Sequence, residues 1–395
     1  MTIKVNLFSI ILFFTIIHFS LFPMRFLAGI NPVPTILLFY LIVQLVFVYL
    51  FFKYRFYFKK ITISEFFLLI IPIISASLIF FIQEKTLNIN YIMDILKPIL
   101  FIFTILFFKH IDLNCLLNKK HVELLMRLML IVSIVVIITL YFIYKVKGGF
   151  YLSSTNILIL IPIFYYLSKN KKTIVLLSFI SLFFSGKRAV LLGFIGSFFL
   201  YLVSQIKNTY LLFKFVITTL FLILVLLFMY NFGLFDNLEI IKKISTGIKV
   251  AGEKGILYAF GGRMEEILYS LKVFESDPIL LLTGAGPGYT YYIETVSGLA
   301  YINHGVHFSP VGVYTIYGPI FFITLYFYIF KNLKKSYKIL KYYEGKNPLV
   351  KTAALFVIAN FVASFTAFSI FTPIYFAIFI GMINNKTFYE DDNIK

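Results

Sequence analysis

Residues 309–330 read SPVGVYTIYGPIFFITLYFYIF, and the chain then continues KNLKKSYKILKYYEGK, with Lys331, Lys334, Lys335, Lys338, Lys341 and Lys346 crowded together. An apolar run of about 20 residues without a charge is the length a helix needs to cross the hydrocarbon of a bilayer. A dense basic segment at one end is what the cytoplasmic flank of such a span carries. That pairing decides the fold class, and it recurs along the chain. Similar windows fall near 5–24, 33–52, 64–82, 91–108, 127–146, 154–168, 172–185, 189–206, 210–232, 352–369 and 371–384, which with 309–330 makes about twelve spans. Hydrophobic residues make up 61% of the chain and charged residues 13%, against about 25% charged in soluble proteins. The predicted architecture is all-α, a polytopic membrane protein forming a single integral membrane domain over 1–395.

The net charge of +19 would point to nucleic acid in a soluble domain. Here the bases sit in short segments between apolar runs, where the cytoplasmic leaflet attracts them, so a nucleic-acid partner is excluded. Lys53, Arg55, Lys59 and Lys60, then Lys109, Lys119, Lys120 and Arg127, then Lys169, Lys171 and Lys172, and finally the loop from Lys331 to Lys351 all fall on one side if both termini are cytoplasmic. The long polar interruption 233–308 then lies on the extracytoplasmic side, and its acids Asp236, Glu239, Glu253, Glu265, Glu266, Glu275, Asp277 and Glu294 fit that placement. The apolar run Val5 to Phe22 reads as a first span, being longer than the core of a secretory signal. A single cysteine, Cys115, leaves no disulfide framework and no cysteine metal cluster. No internal repeat marks the chain as a transporter built from related halves.

Chemistry in so apolar a chain concentrates where its polar groups do. Ser185-Gly186-Lys187-Arg188 places two cations between the seventh and eighth spans. Ser185 can cap the helix that follows, and Arg188 then sits at a helix N-terminus, where free N–H groups favour a phosphate. After Gly261-Gly262, the residues Met264, Ile267, Leu268, Leu271 and Phe274 recur at helical spacing, predicting an amphipathic helix over about 262–276. Arg263 opens that helix, a position that disfavours a cation unless an anion is shared there; a salt bridge to Glu265 or Glu266 is the structural alternative. Gly284 and Gly286 permit close backbone approach to a ligand, but no dinucleotide fingerprint surrounds them. His304 and His307 lie at the edge of the span at 309–330, where a neutral imidazole can take a proton near neutral pH. A third zinc ligand with suitable spacing is not evident. Asp94 and Lys97, one turn apart, read as a mutually neutralising pair.

Taken in order, these pieces resemble the O-antigen polymerase and O-antigen ligase superfamily of bacterial polysaccharide assembly. Phe184-Ser185-Gly186-Lys187-Arg188-Ala189-Val190-Leu191 is similar to that family's Ser-Arg turn opening a short span. Gly262-Arg263, the amphipathic helix and Gly284-Ala285-Gly286 are similar to its outer loop, and His307 to the histidine that begins its returning span, with Phe308 where an Asn usually follows. The likeness is densest over about 150–330. It implies a membrane-embedded glycosyltransferase fold of the GT-C kind in the bacterial inner membrane. It also implies a donor glycan on undecaprenyl pyrophosphate and metal-independent transfer on the periplasmic or outer face. Arg188 and Arg263 are then expected to hold the pyrophosphate and His307 to work at the acceptor hydroxyl, with Ser185, Lys187, His304, Gly284 and Gly286 as substrate contacts. His304 or one of Glu253, Glu265, Glu266 and Glu294 is an alternative base. The expected activity is polymerisation of lipid-linked repeat units, with a chain-length regulator and membrane lipid as partners. The alternatives are a ligase joining glycan to lipid A core and, in another class, a flippase for lipid-linked sugars.

Overall fold

The computed structural model describes residues 15–16, 33–53, 61–83, 89–112, 119–147, 156–184, 188–206, 210, 249, 252, 263–294, 300–366, 370–371 and 374–390. These are mostly helical. Among them, Ile89–His110, Lys120–Leu140 and Ser309–Tyr342 are long and apolar enough to cross a membrane. The windows near 5–24 and 210–232 lie almost wholly outside the described residues, as does most of 233–262. The chain divides into two compact units: Met1–Pro32, Asn114–Ala259 and Ser336–Ala359 form one, and Val33–Leu113, Phe260–Lys335 and Asn360–Lys395 form the other.

In chain order the helices are α1 (Val33–Lys53), α2 (Ile63–Gln83), α3 (Ile89–His110), α4 (Lys119–Lys147), α5 (Leu160–Ser168, entered by a 3-10 turn Asn156–Ile159), α6 (Lys172–Phe184) and α7 (Arg188–Gln205). After these come α8 (Arg263–Leu271), α9 (Val273–Ser276) and α10 (Leu280–Thr283), strands β1 (Tyr291–Glu294) and β2 (Ala300–Asn303), then α11 (Ser309–Tyr342), α12 (Pro348–Ser364), α13 (Ile374–Asn384) and α14 (Thr387–Glu390). Two features depart from the sequence reading. The lysine run Lys331–Lys341 is the last part of α11 and not a loop, because nothing breaks the helix before Gly345 and lysine is a good helix former. The all-α expectation misses the antiparallel ribbon β1–β2, in which Tyr291 faces Asn303 and Tyr292 faces Ile302. Aromatic and β-branched residues alternating inward and outward favour that ribbon: Tyr291 and Ile293 are buried, while Tyr292 and Ile302 are exposed.

In the first unit, α4, α5 and α6 pack together, and Lys169 reaches Glu123 at 2.8 Å. In the second unit, α3 is the central helix, packed against α1, α2 and α13. Gly381 of α13 makes the close crossing possible, since a Cβ there would lie 2.6 Å from the Ile105 carbonyl oxygen; small residues serve this purpose between membrane helices. Thr62 and Glu65 form a capping box at the start of α2: the Glu65 carboxylate accepts the Thr62 N–H at 2.8 Å while Thr62 Oγ1 takes the Glu65 N–H at 3.4 Å. The same carboxylate binds Lys109 Nζ through both oxygens at 2.8 Å and accepts the Tyr328 hydroxyl at 3.1 Å. Asn385 closes the C-terminal end of α3, donating to the Phe108 and Ile111 carbonyls at 2.8 and 2.6 Å, which a helix terminus otherwise leaves unsatisfied.

Prolines place the remaining ties. A proline has no N–H, so it releases the carbonyl four residues before it. Pro98 in α3 thereby frees the Asp94 carbonyl, which accepts the Tyr317 hydroxyl at 2.5 Å. In α11 the backbone break just before Pro319 frees the Thr315 carbonyl, which accepts the Ala285 N–H at 2.6 Å, and the Ile316 carbonyl, which takes the Gly286 N–H at 3.0 Å. Here α11 is broken at Gly318, with φ 77° and ψ 176°. Gly284 sits directly on that break, where a Cβ would lie 2.5 Å from the Gly318 nitrogen.

Candidate functional site

Two carboxylate–histidine pairs lie in the second unit, brought together by α3, α8, the ribbon and the turn that enters α11. The ribbon's inner face supplies the platform. Tyr291, Ile293 and Val306 form a buried cluster, flanked by Ile267, Tyr269, Tyr289, Phe308 and Val311. Tyr289 donates to the Ser270 carbonyl at 3.2 Å and Tyr291 to the Gly305 carbonyl at 3.1 Å, so both tyrosines are tied to α8 or to the turn. The short path from His304 to His307 runs through Gly305, at φ 91° with open space around it, and the buried Val306.

The first pair is His307 and Glu266. The His307 Nδ1 lies 2.8 and 3.0 Å from the two Glu266 oxygens, and the His307 backbone N–H donates to the same carboxylate at 3.2 Å. A carboxylate only accepts, so Nδ1 carries the hydrogen and a neutral His307 keeps its lone pair on Nε2. The Glu266 side chain is 8% exposed and that of His307 43%. A buried carboxylate therefore orients an imidazole whose outer nitrogen remains accessible, the arrangement by which acidic side chains prepare a histidine to accept a proton. Glu266 stands in the first turn of α8, where the helix dipole favours a negative charge. The buried face of this helix is Glu266, Ser270 and, in α9, Phe274. The apolar stripe read from the sequence coincides with it only in part: Phe274 is buried and Ile267 packs against the cluster, whereas Leu268 is 51% exposed. A bonded carboxylate outweighs a simple apolar face here.

The second pair is closed. His304 Nε2 lies 3.3 Å from Asp94 Oδ1, and its Nδ1 lies 2.8 Å from the Tyr289 carbonyl oxygen. Asp94 Oδ2 accepts the Gly288 N–H at 2.9 Å, and Lys97 Nζ stands 3.8 Å from Oδ1. Lys97 is thus one partner of Asp94 and not its principal one. The bond to Asp94 raises the His304 pKa above the ordinary histidine value against the opposing effect of burial, and the Asp94 charge and Tyr289 carbonyl act in the same upward direction.

The other residues expected at the site stand as follows. Arg263 is the first described residue of α8 and Arg188 the first of α7; their side chains lie outside the described residues, as do Ser185, Gly186, Lys187, Glu253 and the side chain of Glu294. Gly284 and Gly286 are buried, with their N–H groups given to Leu280 and Ile316 carbonyls. Those donors are engaged inside the protein. Asp94, read from the sequence only as the partner of Lys97, belongs to the site, as do Gly288 and Tyr317, which were not among the sequence candidates for it. The one available signal was Pro98, four residues after Asp94. Among the described residues, no three or more His, Cys, Asp or Glu side chains converge as a metal cage requires. Compared with known proteins, the chain matches no family model, no curated protein and no solved structure.

Proposed function

We propose that this protein is a polysaccharide polymerase. It transfers a growing glycan from undecaprenyl pyrophosphate to a sugar hydroxyl of a lipid-linked repeat unit, on the outer face of the bacterial cytoplasmic membrane. The observation that carries the reading is the Glu266–His307 pair, with Nε2 accessible and Nδ1 held by a buried carboxylate. The sequence likeness to the O-antigen polymerase and ligase superfamily supplies the substrate class and the GT-C-like fold, and the apolar windows supply the count of about twelve spans.

On this reading His307 Nε2 takes the proton of the acceptor hydroxyl as its oxygen attacks the anomeric carbon of the donor. The bond from that carbon to the pyrophosphate oxygen breaks, and undecaprenyl pyrophosphate leaves with the bonding pair. Arg188 and Arg263 stabilise the charge that develops on the leaving diphosphate, where preorganised cations lower a barrier most. Glu266 faces the imidazolium as it forms. Replacing Arg188 or Arg263 by alanine is expected to abolish long glycan chains while the protein remains in the membrane. Loss of the ladder with single repeats still attached to the lipid core identifies a polymerase; loss of all attached glycan identifies a ligase. Wild-type chain lengths in both variants would overturn the transferase reading.

A further inference from the structure

Resting on the reading of His307 as the base, we propose that Asp94 is a positioning residue for transfer, holding the turn that carries His307 by clasping a protonated His304. Three bonds meet at Asp94. Its side chain accepts the Gly288 N–H before the ribbon and faces His304 Nε2 after it, while its backbone carbonyl, released by Pro98, accepts the Tyr317 hydroxyl of α11. One residue of α3 thus grips both ends of the ribbon and the helix that follows it. Asp94 is 3% exposed, so the grip is made away from solvent, where its electrostatics are strong.

The proton on His304 follows from its neighbours. Nδ1 faces the Tyr289 carbonyl oxygen and Nε2 faces the Asp94 carboxylate. Both are acceptors only, so both ring nitrogens must donate, and only the imidazolium has two N–H groups. A neutral ring would set a lone pair against one of these oxygens. This excludes His304 as the base and leaves that work to His307. Among the described residues, the charged groups facing His304 are Asp94 and Lys97, both from α3; Asp94 raises its proton affinity and Lys97 lowers it.

The sign is set by that balance. A histidine whose pKa rises on folding contributes stability that is complete below its unfolded value of about 6.5 and is lost as pH rises through the folded value. The clasp is therefore closed at low pH and opens at high pH. Transfer therefore has a basic limb belonging to the clasp.

The test uses the full-length protein in lipid nanodiscs. Amide hydrogen exchange over residues 300–309, corrected for intrinsic rates, is followed as pH is raised from about 5.5 to about 9. Wild type is expected to lose protection in one step, and the basic limb of glycan transfer is expected to follow the same step. Asp94→Asn and His304→Gln are expected to abolish the step. Lys97→Met, at a partly exposed position, is expected to fold normally and to move the step to higher pH, an effect no purely structural role predicts. Protection in wild type that is flat in pH, or a step that Lys97→Met leaves in place or moves downward, would overturn the clasp. A step in exchange that transfer does not follow would overturn the positioning role. If wild type shows the step and transfers no glycan at any pH, the transferase reading fails and the clasp stands.

Discussion

Glu266→Gln removes one negative charge from beside His307 while keeping the length of the side chain. The amide oxygen can still accept from Nδ1, so the tautomer survives and the loss is confined to the charge facing the imidazolium in the transition state. Unit charges about 4 Å apart interact by about 4 kcal/mol at an effective dielectric of about 20. The contact here is close, at 2.8 Å, but the His307 side chain is 43% exposed, and solvent screening removes about half of the interaction. About 2 kcal/mol remains, equivalent to a fall of about 30-fold in kcat with KM little changed. His307→Ala removes the base itself and is expected to cost about 100- to 10,000-fold. Because Glu266 acts through His307, the double variant is expected to be no slower than His307→Ala alone. The assay is the initial rate of chain extension in membranes supplied with lipid-linked repeat units at saturating concentration. A Glu266→Gln rate within about twofold of wild type, or a further fall of about 30-fold when it is added to His307→Ala, would refute the dyad.

The framework makes its own predictions. Lys109→Met leaves the Glu65 carboxylate, 2% exposed in side-chain terms, without its cation and is expected to cost about 3–5 kcal/mol of stability; adding Glu65→Gln recovers most of that, as measured by thermal unfolding in detergent. Equal or greater destabilisation of the double variant would contradict the pairing. Gly284→Ala, at φ 76° and with its Cβ directed to 2.5 Å from the Gly318 nitrogen, is expected to cost about 2–4 kcal/mol. Gly305→Ala, at φ 91° but with nothing within 4 Å, carries only the backbone term of about 1–2 kcal/mol. Similar melting temperatures for the two glycine variants would argue against the docking of Gly284 on the helix break.

Hydropathy alone placed most of the described helices. The windows near 33–52, 64–82 and 91–108 correspond to Val33–Lys53, Ile63–Gln83 and Ile89–His110, because a long apolar run has few ways to satisfy its backbone other than a helix. The ribbon was not legible, because Tyr291–Glu294 and Ala300–Asn303 are too short for alternation to stand out beside helical periodicity. The pairing of Asp94 with His304 was hidden for another reason. Lys97, one turn away, offered a complete local explanation, and an alternative partner two hundred residues along the chain leaves no local mark.

By itself the sequence determined that this is a helical chain with apolar segments of membrane-spanning length, and it determined which few polar residues are available for chemistry, because both follow from composition and local periodicity. Only the tertiary structure decided which carboxylate serves which histidine. Glu266 leaves Nε2 of His307 accessible, whereas Asp94 and the Tyr289 carbonyl occupy both nitrogens of His304. Two histidines only three positions apart thus hold different protons, and the difference comes from the acceptors that distant segments bring against each ring.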